Sequence, residues 1–175
     1  MTPPMTLCSV SWMLLSCLMF LSLVEGEESQ KKLPSSRITC PQGSVAFGSH
    51  CYSLILVPQT WPDAELFCQM HLSGHLAFLL STGEVTFVSS LVKNSKTSYQ
   101  YIWIGLHDPS YGTLPNGSGW TWSSSNVLTF YNWERNPSVA ADHGYCAALS
   151  RNSGFQKWRD FNCETLLPYV CKFKP

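Results

Sequence analysis

Two stretches in the first half of the chain repeat hydrophobic residues with the spacing of a helix. The first stretch, residues 61–71, follows Thr60, a residue type that caps helix N-termini, and Pro62 is tolerated in its first turn. We predict that this helix buries Trp61, Ala64, Leu66, Phe67 and Cys68. The second stretch, residues 82–93, places hydrophobic residues at intervals of three and four, at Val85, Val88, Leu91 and Val92.

The second half of the chain contains short runs of aromatic and β-branched residues, which are typical of strands. The longest run covers residues 99–106, and shorter runs follow at 145–150, 154–158 and 168–173. The early segment 40–51 contains turn glycines and predicts a hairpin that is closed by its own cysteines. Because helices come first and strands follow, the order of elements favours an α+β fold.

Between the predicted strands, residues 107–126 contain several prolines and glycines with tryptophans among them. This composition predicts a long ordered loop, and loops of such length in compact domains are often functional. The chain has 175 residues and no formal net charge. A neutral chain lacks the basic surface that nucleic acid requires, so we expect no nucleic-acid partner.

The N-terminal residues predict a secretory signal peptide. The apolar run at 10–24 is shorter than the roughly 20 residues that span a membrane, and small residues precede a cleavage site after Gly26. We therefore expect residues 1–26 to be removed and the protein to be secreted to the extracellular space; an uncleaved anchor is disfavoured by the short run. Residues 27–37 predict a flexible segment that ends at a trypsin-like site, Arg37-Ile38, and an inert leader is an equally open interpretation.

Six of the eight cysteines lie beyond the predicted signal peptide, and an even number in a secreted chain predicts three disulfides. The spacing alone leaves 15 pairings open. No Cys-x-x-Cys pair is present, which argues against a zinc ribbon and against a thioredoxin-type redox site.

Several sequence segments together resemble a C-type lectin-like domain. They are CPQGSVAFGSHCY, TWPDAELFC, WIGL, Asn132-Trp133, YCAAL, KWRDFNC and LPYVCKF, and they extend over residues 40–174. Within that family the chain is similar to the regenerating, or pancreatitis-associated, secreted proteins, through SWMLLSCL, the Arg37-Ile38 segment, IGLHDP and ERNPS.

The resemblance implies one domain over residues 38–175, with two helices packed on antiparallel sheets, a long ordered loop region and three disulfides. It also implies the cysteine pairing, namely Cys40 with Cys51, Cys68 with Cys171, and Cys146 with Cys163. Lectins of this fold hold a sugar through one calcium ion, with ligands from a Glu-Pro-Asn or Gln-Pro-Asp tripeptide and from a Trp-Asn-Asp tripeptide. In this chain the matching residues are Asn136-Pro137-Ser138 and Trp158-Arg159-Asp160.

These substitutions predict that the usual calcium site is lost. Calcium needs several oxygen ligands, yet Asp160 is the one carboxylate left in the two tripeptides, and Arg159 adds a fixed positive charge. We expect no metal and no cofactor, with Asp160 as a structural or salt-bridged residue near Arg159.

A second sugar motif of the family, a Glu-Pro-Asn in the earlier loop, is replaced by Leu114-Pro115-Asn116, and leucine cannot accept a hydrogen bond from a sugar hydroxyl. Asn116 also begins an Asn-Gly-Ser glycosylation sequon, for which a glycan and an unmodified turn are equally open. Aromatic residues of the region, Tyr131 among them, either stack on a sugar or pin the loop to the core, and we favour the core. The candidate recognition loop comprises His107, Asp108, Tyr111, Leu114, Pro115, Asn116, Trp120 and Trp122.

No nucleophile with a positioned base is evident in the sequence, and the five histidines are dispersed, so we expect no enzymatic activity. We expect a lectin-like signalling protein of growth-factor or acute-phase type that recognises a cell-surface receptor, a glycoprotein or another glycoconjugate. The alternative is an antimicrobial lectin that binds bacterial cell-wall peptidoglycan or membranes in gut or pancreatic secretions. Self-association into fibrils after trimming at Arg37 is a third possibility.

Overall fold

The computed structural model of the chain describes residues 38–114, 118–137 and 143–175. The predicted signal peptide and the segment 27–37 lie outside these residues, as do Pro115, Asn116 and Ser138. Within the described ranges no helix is long and apolar enough to cross a membrane.

Over the described residues the fold combines two helices with eight strands, which confirms the predicted α+β class. In chain order the elements are β1 (Val45–Phe47), β2 (His50–Gln59), α1 (Trp61–Cys68), β3 (His75–Leu76), α2 (Thr82–Asn94), β4 (Tyr101–His107), β5 (Thr121–Trp122), β6 (Cys146–Ser150), β7 (Trp158–Phe161) and β8 (Leu167–Phe173). A single turn of 3-10 helix, Arg151–Ser153, lies between β6 and β7.

The strands form one sheet in the order β1-β2-β8-β4-β6-β7, in which β3 also pairs with β8 and β5 with β4. Neighbours are antiparallel, except that β4 and β8 are parallel. Every residue of β8 is buried, so the C-terminal strand is the centre of the sheet.

Strand β4 separates two hydrophobic clusters. Its residues Ile102, Ile104 and Leu106 pack with the valines of α2, while Trp103 packs with Trp61 and the rest of the buried face of α1. Successive side chains of a strand point to opposite faces, so one strand serves both clusters. Each helix therefore covers a cluster of its own.

The disulfides formed are Cys40–Cys51, Cys68–Cys171 and Cys146–Cys163, which is the pairing that the resemblance implies. The second bond joins the C-terminal end of α1 to the central strand β8, across 103 positions of sequence. The third bond joins the start of β6 to the segment that follows β7.

The predicted buried face of α1 is wrong at two positions. Leu66 is 63% exposed and Phe67 is also exposed, whereas Glu65 is buried. The helix ends at Cys68, and a helix this short buries one stripe, residues 61, 64, 65 and 68, from which residues 66 and 67 point away. The Glu65 carboxylate is satisfied there, because it accepts hydrogen bonds from the Leu76 backbone N–H at 2.8 Å and the Ser123 hydroxyl at 2.9 Å.

Two further differences concern strands. The predicted strand at 154–158 is wrong: Gly154 has a left-handed φ of 66° and ends the 3-10 helix, so that β7 begins only at Trp158. Strand β2 continues to Gln59, and its register on β8 shifts between Ile55 and Gln59. Pro58 lies in this irregular part, where the loss of a ladder hydrogen bond is tolerated.

Candidate functional site

The carboxylate that remains from the calcium motif is enclosed by donors from this chain. Asp160 lies on β7 and is buried. Its Oδ1 accepts a hydrogen bond from the Arg135 Nε at 3.1 Å, and its Oδ2 accepts one from the backbone N–H of Gly144 at 2.8 Å. The guanidinium Nη2 also lies 3.5 Å from Oδ2. An internal cation therefore neutralises the carboxylate that a metal ion would need.

Asp160 is salt-bridged, as the sequence led us to expect, but its partner is Arg135 and not the adjacent Arg159. Neighbouring residues on a strand project to opposite faces, so the Arg159 guanidinium points away and lies over the Phe161 ring, 5.9 Å from its centre. Arg135 directly precedes Asn136-Pro137 in the sequence, and a basic residue at this place could have identified it as the partner of Asp160.

The described residues of this region do not fit a calcium ion. Calcium takes six to eight oxygen ligands, and the one motif carboxylate present is already bonded to a guanidinium and an amide. In the described ranges no three side chains of His, Cys, Asp or Glu lie close enough to hold a metal. Pro137 is buried and Asn136 is exposed beside this pair.

Calcium should therefore leave the stability of the fold unchanged. A ligand at tenfold its dissociation constant stabilises a folded protein by about 1.4 kcal/mol, which is several degrees in melting temperature for a small domain. We expect no shift in thermal unfolding between excess EDTA and millimolar Ca²⁺. A calcium-dependent rise that disappears in Asp160→Asn would contradict the arrangement of Arg135 and Asp160.

The start of the candidate recognition loop is organised by the buried side chain of Asp108. Its Oδ1 accepts hydrogen bonds from the Ser110 backbone N–H at 2.9 Å and from the Ser110 hydroxyl at 2.5 Å. Its backbone N–H donates to the Tyr145 carbonyl at 2.8 Å, which ties the loop to the segment before β6. This aspartate-centred turn places Tyr111 in a left-handed conformation, with φ of 50°.

The predicted loop residues divide into exposed and buried sets. Tyr111 is 69% exposed and Leu114 is 49% exposed. Trp122 is 1% exposed and packs edge-on against Trp158, and Trp120 packs against the Trp133 ring with 4.6 Å between centres. The tryptophans hold the loop to the core, so the surface available to a partner is formed by the tip.

A cavity of about 640 Å³ lies at the base of this turn. Four segments line it: the start of α1, the end of β4 with the turn after it, the start of β6 with the segment before it, and the segment after β7. In this order the lining residues are Trp61 and Pro62; His107, Asp108, Pro109 and Tyr111; His143, Gly144, Tyr145 and Cys146; and Asn162, Cys163 and Glu164. Sequence analysis placed His107, Asp108 and Tyr111 in the loop, and the resemblance paired Cys146 with Cys163. It did not predict that these residues meet Trp61, Tyr145 and Glu164, because the segments are distant in the chain and meet only in the folded structure.

His107 is a partly buried titratable group in the wall of this cavity. Its ring lies against the indole of Trp61, with 4.5 Å between centres and 30° between the ring planes. Burial lowers the pKa of His107, and this outweighs the opposing influence of the Glu65 carboxylate, a backbone hydrogen bond to Thr121 and the Asp108 carboxylate. The imidazole is therefore neutral at physiological pH.

The chain has close relatives among known proteins. The profile of the lectin C-type domain matches residues 57–173. A pancreatic beta cell growth factor from Mesocricetus auratus is 86% identical over 171 residues, which are 98% of either chain. Regenerating islet-derived protein 3-beta from Mus musculus is 61% identical over 174 residues, or 99% of either chain. The structure of human lithostathine superposes with a TM-score of 0.71 at 40% identity, covering 78% of this chain and all of that one.

Proposed function

The chain belongs to the regenerating islet-derived family of lectin C-type domain proteins, and from this premise we propose that it is a secreted, non-enzymatic signalling protein. It acts by recognising a cell-surface receptor or glycoconjugate without calcium. The name of the hamster relative, a pancreatic beta cell growth factor, supports a growth-promoting role.

The observation that carries this proposal is the ion pair between Arg135 and Asp160. Calcium-dependent sugar binding uses the metal as the bridge to the sugar hydroxyls, and here the guanidinium lies against the carboxylate that would hold it. A buried ion pair with a further amide donor is costly to open, since it leaves an uncompensated charge. Recognition is therefore assigned to surfaces other than the calcium-bridged one.

The surface that we assign to recognition is the tip of the loop after β4. Tyr111 and Leu114 are exposed there, above a turn that is fixed by Asp108 and Tyr145. An exposed aromatic and an exposed aliphatic side chain on a rigid support are typical of the anchors that dominate protein interfaces. The tip suits contact with a protein better than contact with sugar hydroxyls.

Replacing Leu114 with aspartate should remove the response of cells to this protein. An interface anchor contributes about 2 kcal/mol or more, so we expect binding of labelled protein to islet-derived cells to fall at least tenfold, with a matching loss of proliferation. The matched control is Leu72→Asp, which changes another exposed leucine, beyond the end of α1. Unaltered cell binding by a folded Leu114→Asp protein would contradict the assignment of this surface.

The alternative function, an antimicrobial lectin, is favoured by the similarity to the regenerating islet-derived 3-beta protein. The same position separates the two functions, because glutamate at 114 restores the acceptor of the second sugar motif, the Glu-Pro-Asn of the earlier loop, through which some members of the family bind peptidoglycan. In a sedimentation assay, Leu114→Glu should be found in the pellet with insoluble peptidoglycan, and the unmodified protein should stay in the supernatant. Calcium-free retention of both proteins to the same extent would favour the antimicrobial function.

A further inference from the structure

The cavity below the recognition loop is a preformed binding site. Two backbone hydrogen bonds of 2.8 Å hold its walls, from Asp108 N–H to the Tyr145 carbonyl and from Trp61 N–H to the Cys163 carbonyl. The disulfide Cys146–Cys163 joins these two pairs of segments to each other. Its volume of about 640 Å³ is within the range of sites for small ligands or for an inserted side chain. A guest would meet walls that are already ordered.

Aromatic rings form two of the walls. The adjoining rings of Trp61 and His107 lie on one side. On another side Tyr111 and Tyr145 meet edge to face with 5.4 Å between centres, and the His143 ring lies 5.3 Å from that of Tyr145. Aromatic faces attract a cation that is partly removed from water.

The charges of the lining are acidic. It contains Glu164, whose carboxylate is exposed, and Asp108, whose carboxylate is bonded within the loop, and within the described lining there is no lysine or arginine. Arg135 lies behind Gly144, where its charge is neutralised by Asp160. The carboxylates that act on His107, from Glu65 and Asp108, add to the same negative field. The cavity therefore presents negative charge without a balancing cation of its own.

The His107 ring offers a guest its aromatic face and not its nitrogen atoms. Nδ1 is closed to solvent and has no hydrogen-bond partner, and the ring hydrogen-bonds the Thr121 backbone through its other nitrogen. An acceptor that a guest can reach is the exposed carboxylate of Glu164. The cavity therefore favours a cation that also packs against aromatic rings.

We propose that this cavity binds an arginine side chain of the protein partner, a proposal that rests on the signalling function above and specifies the chemistry of its partner. A guanidinium is planar, carries five donors and stacks on aromatic rings, so it matches the tyrosine wall and the Glu164 carboxylate at once. A lysine ammonium offers a point charge without the planar face, and a neutral sugar leaves the carboxylates unmatched.

The test is a titration of the full-length secreted protein with Nα-acetyl-arginine methylamide, followed through the backbone amide shifts of a ¹⁵N-labelled sample. We expect saturable shifts at Tyr145, Cys146 and Glu164. Nα-acetyl-citrulline methylamide has the same shape without the charge, and should bind at least fivefold more weakly. The lysine analogue should bind more weakly than arginine.

The matched variants are Glu164→Gln, at an exposed carboxylate of the lining, and Glu134→Gln, at an exposed carboxylate outside it. Losing one exposed charge partner should weaken arginine binding about threefold in Glu164→Gln and leave it unchanged in Glu134→Gln. Unchanged amide spectra away from the substitution establish that both variants fold.

Three outcomes would overturn the proposal. They are equal binding of citrulline and arginine, arginine binding that Glu164→Gln does not weaken, and stronger shifts of the same amides by lysine or by N-acetylglucosamine. The titration needs no receptor, so its failure is separate from a failure of the signalling function. If the protein binds arginine in this cavity but cells do not respond to it, the binding site is supported and the signalling function is contradicted.

Discussion

Replacing both Cys68 and Cys171 with alanine is expected to lower the free energy of unfolding by about 4–5 kcal/mol. The bond closes a loop of 103 positions, and cross-linking residues so far apart removes much of the entropy of the unfolded chain. Both cysteines are also fully buried between α1 and β8. The measurement is equilibrium unfolding in guanidinium chloride without reductant, so that the other two bonds remain intact.

The matched control is the double alanine variant of Cys40 and Cys51. This bond spans only 11 positions, for which the same chain-entropy reasoning gives about 3 kcal/mol. The order of the two losses is therefore the informative result. An equal or greater loss from the short bond would show that native packing, rather than loop length, sets the contribution of each disulfide.

The two helices differ in how well the sequence predicts their buried face. In α2, thirteen residues give a full stripe, and Val85, Val88 and Val92 are buried as the spacing predicts. In α1, only two turns are present, and the choice of stripe is made by tertiary contacts. A buried glutamate is uncommon and requires partners, which for Glu65 come from β3 and from Ser123. Hydrophobic spacing alone could not identify them.

The candidate site was predictable as a loop but not as a cavity. Prolines and glycines after β4 mark the loop, and the lost calcium ligands are visible as substitutions. The cavity exists because β4 pairs with β6, which brings Tyr145 beside Asp108, and because Cys163 is bonded to Cys146. A single sequence carries no direct signal for the pairing of distant strands. The same limit applies to Arg135 and Asp160, which are 25 positions apart.

Replacing Lys172 with methionine is expected to destabilise the fold by about 3–5 kcal/mol, the range found when one partner of a buried ion pair is removed. Lys172 is 1% exposed on the central strand β8. Its Nζ donates to Glu84 Oε1 and to the Phe78 carbonyl, and it lies 3.5 Å from the centre of the Phe78 ring. The variant leaves the Glu84 carboxylate, which is largely removed from water, without its cation.

The matched control is Lys174→Met, which removes an exposed amine two residues away and should change stability by less than 0.5 kcal/mol. The double variant of Lys172→Met with Glu84→Gln removes both charges together. It should recover part of the loss, because the uncompensated charge is what costs most. Urea unfolding of the unmodified protein, the single variants Lys172→Met and Glu84→Gln and their double variant forms a double-mutant cycle, and purely additive losses would contradict a coupled pair.

The ion pair of Lys172 with Glu84 also contributes to the dependence of stability on pH. Burial raises the pKa of the Glu84 carboxyl, but a hydrogen bond from Lys172, the Leu80 amide, the lysine charge and the Tyr52 hydroxyl outweigh it, so that the pKa is lowered. A carboxyl that is more acidic in the folded state stabilises the protein fully above its unfolded pKa of about 4.3.

That contribution disappears as the pH falls through the lowered folded value, because the unfolded state then takes up the proton more readily. We therefore expect the unmodified protein to lose stability below about pH 4 more steeply than the double variant, which has no carboxyl at position 84. Urea unfolding of both proteins between pH 2 and 7 measures the difference. Parallel pH profiles would mean that Glu84 is no more acidic in the folded chain than in the unfolded one, and that the buried lysine is held by the Phe78 carbonyl and ring instead.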